Sequence, residues 1–261
     1  MRPVRNGCAE SAMAGMKMSA ERYIRECAVA GYEHLPAVLS KARVGIIGLG
    51  GLGGLVTYLI AGAGVLDLHV ADPDTVSLSN LHRQVLYDME DIGTLKSAAL
   101  LKRLKALDPE VKVRIFERID ETAFKDFARG CNLVLDLTDS QETRLKISAL
   151  ALKARVPLVE AAVCGLAGQI AFFDYAAPDF VREHGCLACL TGTGLSPTPP
   201  GISGPAAATL ASLCAQIVLD ILNGSYTGRG RVHVLDLRAL TLRSFTLRPE
   251  DHCSCRRNNA D

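Results

Sequence analysis

Residues 44–72 carry the pattern that most constrains the fold of this 261-residue chain. An apolar segment at residues 44–47 is followed by a glycine-rich run at residues 48–53 and by a further apolar stretch ending at Ala63. A second apolar segment then leads to Asp72. This order predicts a buried strand, a tight turn, a helix and a second strand, which together form one βαβ unit.

The glycine-rich run has the spacing G-x-G-x-x-G, and its glycines have separate physical uses. Gly48 permits the tight turn, Gly50 lets the backbone approach a phosphate, and Gly53 lets the helix pack close to the strand. The helix N-terminus offers unpaired N–H groups and a partial positive charge to an anion. Asp72, at the end of the second strand, can accept hydrogen bonds from ribose hydroxyls. The segment therefore predicts a nucleotide-binding site.

Strand-like and helix-like segments alternate through about residue 160, with helices expected near residues 93–107 and 141–154. This alternation indicates an α/β protein with a Rossmann-like, doubly wound and mostly parallel sheet. Residues 231–237 and 241–247 predict a closing hairpin, so the C-terminal part of the sheet is expected to be antiparallel.

The chain shows no internal repeat and no linker, so a single domain is expected over residues 19–255. A disordered leader is expected at residues 1–18 and a short tail at residues 256–261. Within the domain, we expect a short helical stretch at residues 22–31. An Ala-rich helix with proline in its first turn is expected at residues 205–222.

Composition narrows the range of functions. About half of the residues are hydrophobic and the formal net charge is +1, which excludes a disordered chain and gives no electrostatic reason to expect nucleic acid or a membrane surface. No apolar run of roughly 18–20 residues, the length needed to span a bilayer, is apparent. There is no signal-peptide core either, so we expect a cytoplasmic protein. The nine cysteines are then expected as thiols or metal ligands rather than disulfides.

Other polar residues follow predicted strands at the same edge of the sheet. Asp139 comes after a buried strand at residues 133–137, and ligands of doubly wound sheets bind beyond the carboxyl ends of the strands. Its carboxylate suits Mg²⁺, and Arg83 and Lys96 are cations that suit phosphates. Taken alone, Asp139 could be a helix N-cap and the two cations could be solvated surface charges.

Several groups of residues together resemble the ThiF/MoeB/HesA family, the bacterial relatives of ubiquitin-activating enzymes. The groups are Arg22-Tyr23-x-Arg25, residues 48–53, the segment DPDTVSLSNLHRQ from Asp72 to Gln84, Lys96, Thr138-Asp139 and Cys186-x-x-Cys189. The resemblance covers about residues 19–255. It implies ATP-dependent adenylation, with Mg²⁺, of the C-terminal glycine of a small ubiquitin-fold carrier protein that ends in Gly-Gly.

The resemblance also implies roles for single residues. The implied catalytic residues are Arg25, Arg83, Lys96 and Asp139, with Asp139 as the Mg²⁺ ligand. The implied nucleotide-binding residues are Gly48, Gly50, Gly51, Gly53, Asp72, Asn80, Arg83 and Lys96. Arg25 is expected to reach the nucleotide of the partner subunit, so a homodimer is expected.

The cysteines depart from the family pattern in their second half. Cys186-x-x-Cys189 is half of a zinc knuckle, and the C-terminal half is Cys253-x-Cys255 where the family usually has C-x-x-C. Four thiolates could still surround Zn²⁺, with a strained chelate, and His252 is an alternative ligand. A structural zinc site at these four cysteines is expected; the alternative is four free thiols.

The loop at residues 191–204 contains no cysteine, whereas some relatives carry one there that bonds covalently to the activated carrier. We therefore expect an enzyme that stops at the acyl-adenylate, which a separate sulfur donor protein then attacks. The other internal cysteines, Cys131, Cys164 and Cys214, lie in apolar contexts and are expected to serve packing.

The leading functional hypothesis is thus an adenylyltransferase for a sulfur carrier of thiamine or molybdopterin synthesis, similar to ThiS or MoaD. Two other enzyme hypotheses keep the fold: an NAD-dependent oxidoreductase and a tRNA-modifying dehydratase of the same family. A further alternative is an inactive partner subunit. Arg83, Lys96 and Asp139 argue against the oxidoreductase, because a dinucleotide needs no apparatus for a triphosphate and Mg²⁺.

Overall fold

The computed structural model describes residues 21–192, 201–251, 253 and 255. The predicted leader and tail lie outside the described residues. The strands of the described part are β1 (Arg43–Ile47), β2 (Asp67–Ala71), β3 (Lys112–Phe116), β4 (Leu133–Asp136), β5 (Leu158–Cys164), β6 (Ala167–Phe173), β7 (Arg231–Asp236) and β8 (Thr241–Thr246). The helices are α1 (Leu35–Leu39), α2 (Gly53–Ala63), α3 (Lys96–Leu107), α4 (Glu121–Phe127), α5 (Gln141–Lys153), α6 (Phe180–His184), α7 (Leu187–Thr191) and α8 (Gly204–Leu222).

The strands form one eight-stranded sheet in the order β3-β2-β1-β4-β5-β6-β7-β8. Strands β1 to β5 pair in parallel, and β6, β7 and β8 join as antiparallel neighbours. The predicted fold class is confirmed. The chain leaves β1 toward β2 on one side and later returns to β4 on the other, so the strand order reverses at β1. Ligands of such sheets bind in the crevice outside this switch point.

Strand β1 has apolar layers on both of its faces. Val44 and Ile46 belong to one core cluster and Ile47 to the other, as the alternation of side chains along a strand requires. The first cluster includes the apolar faces of α2 and α8, and the second includes those of α4 and α5. Glycine at residue 45 makes room for the Phe127 ring, which would lie 2.7 Å from a Cβ at this position. Because β1 is covered on both faces, almost all of its residues must be apolar or small, which explains the apolar run in the sequence.

Helix α8 corrects the expectation that no apolar segment is long enough to span a bilayer. By length and composition alone it could cross a membrane, with a mean hydropathy of 1.7. It instead forms part of the core, where Ala207, Leu210 and Cys214 are fully buried or nearly so against α2 and strands β5 and β6. The apolar composition of α8 is that of a helix packed on a sheet.

The N-terminal segment differs from the short helix that the sequence predicts at residues 22–31. Residues 21–31 form successive turns rather than the predicted helix, and the nearest α-helix is α1. Tertiary contacts hold this segment: Arg22 donates to the carbonyl of Leu107 at 3.2 Å and lies 3.3 Å from the Asp108 carboxylate. Tyr23 is buried beside Gly64, at the C-terminal end of α2. These anchors replace the backbone hydrogen bonds of a continuous helix.

Candidate functional site

The glycine-rich turn requires glycine at two positions for steric reasons. Gly48 has φ +89°, and a Cβ there would lie 2.8 Å from the carbonyl oxygen of Leu137. A Cβ at Gly53 would lie 1.7 Å from the carbonyl oxygen of Gly48. The turn therefore folds back on itself between β1 and α2, and it packs directly on the chain that leaves β4.

The same turn presents unpaired backbone donors. Among the described residues, no acceptor pairs with the N–H groups of Gly50, Gly51 and Leu52. At Gly50 the space is open: the nearest atom to a Cβ there would be Nε2 of Gln84, at 3.6 Å. Unpaired N–H groups at the start of an 11-residue helix form an anion-binding site.

Asp72 organises this turn from the end of β2. Its Oδ2 accepts the N–H of Leu49 at 2.6 Å, and its Oδ1 accepts the N–H of Asp74 at 2.8 Å. Burial raises the pKa of this carboxyl, while the Leu49 N–H and the nearby Lys96 ammonium oppose the rise. Asp72 therefore uses one lone pair of each oxygen to shape the turn, and its remaining lone pairs are the ones available to a ligand.

Lys96 is a buried cation at the first position of α3. Its Nζ lies 2.7 Å from Oδ2 of Asp74 and 3.9 Å from Oδ1 of Asp72. The Lys96 side chain is 7% exposed, whereas that of Asp74 is 65% exposed. The ammonium is thus fixed by the protein, and its main partner is a carboxylate that can turn away into solvent.

Arg83 reaches the turn on a short polar segment. Asn80 builds that segment: its Oδ1 accepts the N–H of Ser77 at 3.1 Å, and its carbonyl accepts the N–H groups of Arg83 and Gln84. The carbonyl oxygen of Arg83 lies 3.3 Å from the Cβ position of Gly51, so this segment packs on the glycine turn. The Arg83 guanidinium donates to the carbonyl of Ser79 at 2.9 Å and remains partly exposed.

Asp139 is exposed just beyond β4. The turn that carries it is fixed by Asp136, whose Oδ1 accepts from the N–H of Thr138 at 3.2 Å and from its hydroxyl at 2.8 Å. Leu137 is hydrogen-bonded to the carbonyl of Ile47 at 2.9 Å. The structure therefore brings Asp139 close to the glycine turn on the neighbouring strand, with its carboxylate open to solvent.

A buried charged group lies behind this turn, and the sequence analysis missed it. Glu160 is fully buried on β5, beside Asp136 in the register of the two strands. Arg144 of α5 donates to it at 2.9 Å, and Gln169 of β6 donates at 3.2 Å. Burial raises the pKa of Glu160, which Arg144 opposes, and burial raises the pKa of Asp136 to about 7. The sequence feature that could have revealed this buried group is a glutamate within an otherwise apolar strand.

Arg25 is not brought to the site within one chain. It is exposed, and it makes no hydrogen bond or ion pair with any other residue that the structure describes. Its neighbour Tyr23 packs at Gly64, whereas the glycine turn lies at the other end of α2. An 11-residue helix is about 16 Å long.

Four thiols converge in a second place, between α7 and the end of the described chain. Cys186 lies 4.0 Å from Cys189 and 3.6 Å from Cys253, and Cys189 lies 3.6 Å from Cys255, measured between Sγ atoms. All four Sγ atoms lie within 4.8 Å of one another. Zinc–sulfur bonds of about 2.3 Å in a tetrahedron require sulfurs about 3.8 Å apart, so the four cysteines fit Zn²⁺.

The surroundings of the thiols also fit a metal. The N–H of Glu250 points to the sulfur of Cys189 at 3.4 Å. Burial raises the pKa of the Cys186 thiol to about 12, so a bound cation would be needed to hold it as thiolate. The C-x-C spacing thus permits a tetrahedral arrangement. His252, the alternative ligand, lies outside the described residues.

A glycine turn at the switch point of a doubly wound sheet, with unpaired donors, two cations and an exposed carboxylate around it, defines a nucleotide-binding α/β protein. The sequence model of the ThiF family matches residues 23–257 of this chain. The chain belongs to the ThiF family, which confirms the resemblance found in the sequence.

Named relatives give the class of enzyme. The chain is 35% identical over 229 residues to the sulfur carrier protein ThiS adenylyltransferase of Escherichia coli K12, covering 85% of this chain and 89% of that protein. It is 31% identical over 236 residues to the molybdopterin-synthase adenylyltransferase of Salmonella typhimurium LT2, covering 89% and 94%. The chain is an adenylyltransferase, and not the NAD-dependent oxidoreductase considered as an alternative.

Solved structures show the same fold. The crystal structure of Escherichia coli MccB with ATP superimposes with a TM-score of 0.76 at 19% identity, covering 90% of this chain and 74% of that one. The structure of PaaA superimposes with a TM-score of 0.75 at 18% identity, covering 90% and 85%. At this identity the likeness concerns the fold alone.

Proposed function

We propose that this protein adenylates the C-terminal glycine of a small ubiquitin-fold sulfur-carrier protein that ends in Gly-Gly. ATP and the carrier carboxylate are the substrates, and acyl-adenylate and pyrophosphate are the products. The observation that carries the proposal is the convergence at one sheet edge of unpaired turn N–H groups, the buried Lys96 and the exposed Asp139. The names of the relatives support a sulfur carrier as the protein substrate.

The chemistry joins two anions, so the site must mainly neutralise and orient charge. The carrier carboxylate attacks the α-phosphorus, and the bond from that phosphorus to the bridging oxygen of pyrophosphate breaks. A glycine carboxylate is already ionised at neutral pH, so the attack requires no general base. The turn N–H groups and the cations Lys96 and Arg83 bind the phosphate oxygens, and the adenosine ribose lies toward Asp72 and Asn80.

Mg²⁺ would be held by the exposed carboxylate of Asp139, and it would neutralise phosphate charge when bound. Lys96 would exchange its ion pair with the exposed Asp74 for one with a phosphate. Because Asp72 keeps its contact with the Leu49 N–H, the turn holds its shape while this exchange takes place. The buried ammonium therefore loses little conformational freedom on binding.

Arg25 is proposed to act on the nucleotide of a partner subunit in a homodimer. Its exposure and the packing of the adjacent Tyr23 at the end of α2 far from the glycine turn support this role, because they leave Arg25 away from the nucleotide site of its own chain. A cation supplied from a second chain would couple turnover to assembly.

The acyl-adenylate is proposed to pass to a separate sulfur donor protein, since residues 191–204 contain no cysteine. The Cys186, Cys189, Cys253 and Cys255 site is proposed to bind Zn²⁺ and to fix the C-terminal segment against α7. Sulfur-carrier chemistry of this kind is expected in the cytoplasm.

The test is ATP–pyrophosphate exchange with Mg²⁺ and candidate carriers ending in Gly-Gly. Exchange is expected only with a carrier present. The exchange should disappear when the terminal glycine of the carrier is removed, and also in the variant Asp139→Ala. Exchange that ignores every carrier but responds to tRNA would favour the dehydratase alternative. The absence of exchange from a protein that still binds ATP would refute the proposed function.

A further inference from the structure

Gln84 is a buried polar residue whose side-chain oxygen has no partner in the part of the chain that the structure describes. It is 5% exposed, and its Oε1 is buried without a hydrogen-bond partner among the described residues. Its Nε2 makes no hydrogen bond within that part of the chain either. A buried carbonyl oxygen without a partner destabilises the protein that carries it, so such a group is normally explained by an absent ligand or a functional role.

The position of the amide points to the ligand. Among the described residues, and apart from the chain neighbours of Gly50, only Nε2 of Gln84 lies within 4 Å of the Cβ position of Gly50, in the stretch of the turn whose N–H groups are unpaired. The residues around it are tied down: Tyr87 donates its hydroxyl to the carbonyl of Leu49 at 2.8 Å, and Arg83 packs on Gly51. The carboxamide thus lies against the turn, in a segment that its neighbours anchor, and neither of its polar ends is paired among the described residues.

A carboxamide both donates and accepts hydrogen bonds, whereas phosphate oxygens at neutral pH act as acceptors only. A site for ATP alone would be better served by a cation, as at Lys96 and Arg83. The carrier tail is a peptide that brings N–H donors to the place where its carboxylate meets the phosphate. The pair of complementary ends on Gln84 matches a ligand that presents a phosphate oxygen and a peptide N–H side by side.

We propose that Gln84 is a substrate-contacting residue that binds the junction between the acyl group and the α-phosphate. Its Nε2–H donates to an oxygen of the adenylate, and its Oε1 accepts the peptide N–H of the tail. This inference rests on the proposed function, and it adds a residue that recognises the acyl-adenylate rather than ATP.

The test compares Gln84→Met and Gln84→Glu with the wild type. Methionine keeps the length of the side chain and removes both polar ends; glutamate keeps the acceptor and loses the donor. Leu86→Met is the matched control, because Leu86 lies in the same segment and its apolar side chain reaches within 3.8 Å of the Cβ position of Gly54. The probes are ATP with Mg²⁺ and a sulfamoyl adenosine that carries a Gly-Gly acyl group, which mimics the acyl-adenylate.

For Gln84→Met we expect a melting temperature without ligand equal to or above that of the wild type, because an unpaired buried amide has been removed. Its affinity for ATP should fall by less than about tenfold, because ATP offers the phosphate oxygen to Nε2 but no peptide N–H to Oε1. Its affinity for the mimic should fall roughly tenfold to a hundredfold, as for hydrogen bonds to a charged group. Gln84→Glu should bind the mimic at least as poorly, and Leu86→Met should bind it as the wild type does.

Unchanged mimic binding by Gln84→Met would overturn the inference. A lower melting temperature with parallel loss of ATP and mimic would also overturn it, since it would show that Gln84 serves the fold. A wild-type protein that binds ATP but not the mimic would count against the proposed function itself, and the inference would fall with it.

Discussion

The substitution Gly53→Ala tests whether the glycine turn has the geometry described here. A Cβ at residue 53 would lie 1.7 Å from the carbonyl oxygen of Gly48, whereas ordinary van der Waals contact begins at 3.4 Å. The backbone would therefore have to separate by 1.7 Å, the difference between these two distances, at a place where Gly48 is itself packed on Leu137. Relief by a side-chain rotation is impossible, because the position of Cβ is fixed by the backbone of residue 53 and the atom that it meets is a main-chain oxygen.

We expect Gly53→Ala to lower the free energy of unfolding by at least about 3 kcal/mol, the upper part of the usual range for overpacking. For a domain of this size that corresponds to a fall in melting temperature of roughly 6–12 °C, measurable by differential scanning calorimetry. ATP binding should be lost at temperatures where the variant is still folded, because the N–H groups of the turn would no longer converge.

Gly50→Ala is the matched control for that experiment. Its Cβ would meet only Nε2 of Gln84, at an ordinary contact distance of 3.6 Å, so the melting temperature should stay within about 2 °C of the wild type. ATP binding should still weaken, because the new methyl group stands beside the unpaired N–H groups. A Gly53→Ala protein with wild-type stability and ATP affinity would refute the described turn, and equal effects of the two alanines would remove the distinction between them.

Three further substitutions test other parts of the site. Lys96→Met should lower the rate of exchange by roughly 10²–10³-fold at saturating ATP, as expected for loss of a preorganised charge at a transferring phosphoryl group; a change below tenfold would contradict its role. Asp136→Asn should be stabilised relative to the wild type as the pH rises. The pKa of Asp136 is about 7 in the folded protein against an ordinary value of 3.8, so the wild type loses stability between about pH 4 and 7, by up to roughly 1.4 kcal/mol per pH unit. A pH-independent difference between the two proteins in urea unfolding would contradict this. Cys255→Ser should lose bound zinc, measured by elemental analysis, and should melt at a lower temperature, whereas replacement of the exposed Cys164 should leave the zinc content unchanged.

The parts of the fold that sequence predicts best are those with a local cause. The apolar run of β1 and the glycine spacing after it depend on neighbours in the chain, and both appear as expected. The C-terminal hairpin of β7 and β8 follows from alternation of the same local kind. The predicted helix at residues 22–31 is wrong because the contacts of Arg22 and Tyr23 with distant helix ends decide that segment.

In the site, too, the features with a local cause could be predicted, and those that depend on tertiary contacts could not. Residue types placed Asp139 and Lys96 correctly at strand and helix ends, but the ion pair of Lys96 with Asp74 depends on side-chain positions that no spacing reveals. The pairing of Asp136 with Glu160 depends on the register between two strands separated by a helix. The convergence of the four cysteines was expected from Cys186-x-x-Cys189 together with the family resemblance, although the second half has the shorter C-x-C form.

The central claim is that the α-phosphate of ATP becomes attached to a carrier carboxylate, and labelled ATP tests it directly. The enzyme would be mixed with a carrier ending in Gly-Gly and with ATP labelled in the α-phosphate or, separately, in the γ-phosphate. Only the α-label should appear on the carrier. Its transfer should require the terminal glycine and should be prevented by Asp139→Ala. Label transferred from the γ-phosphate, or AMP released at the same rate without any carrier, would contradict formation of an acyl-adenylate.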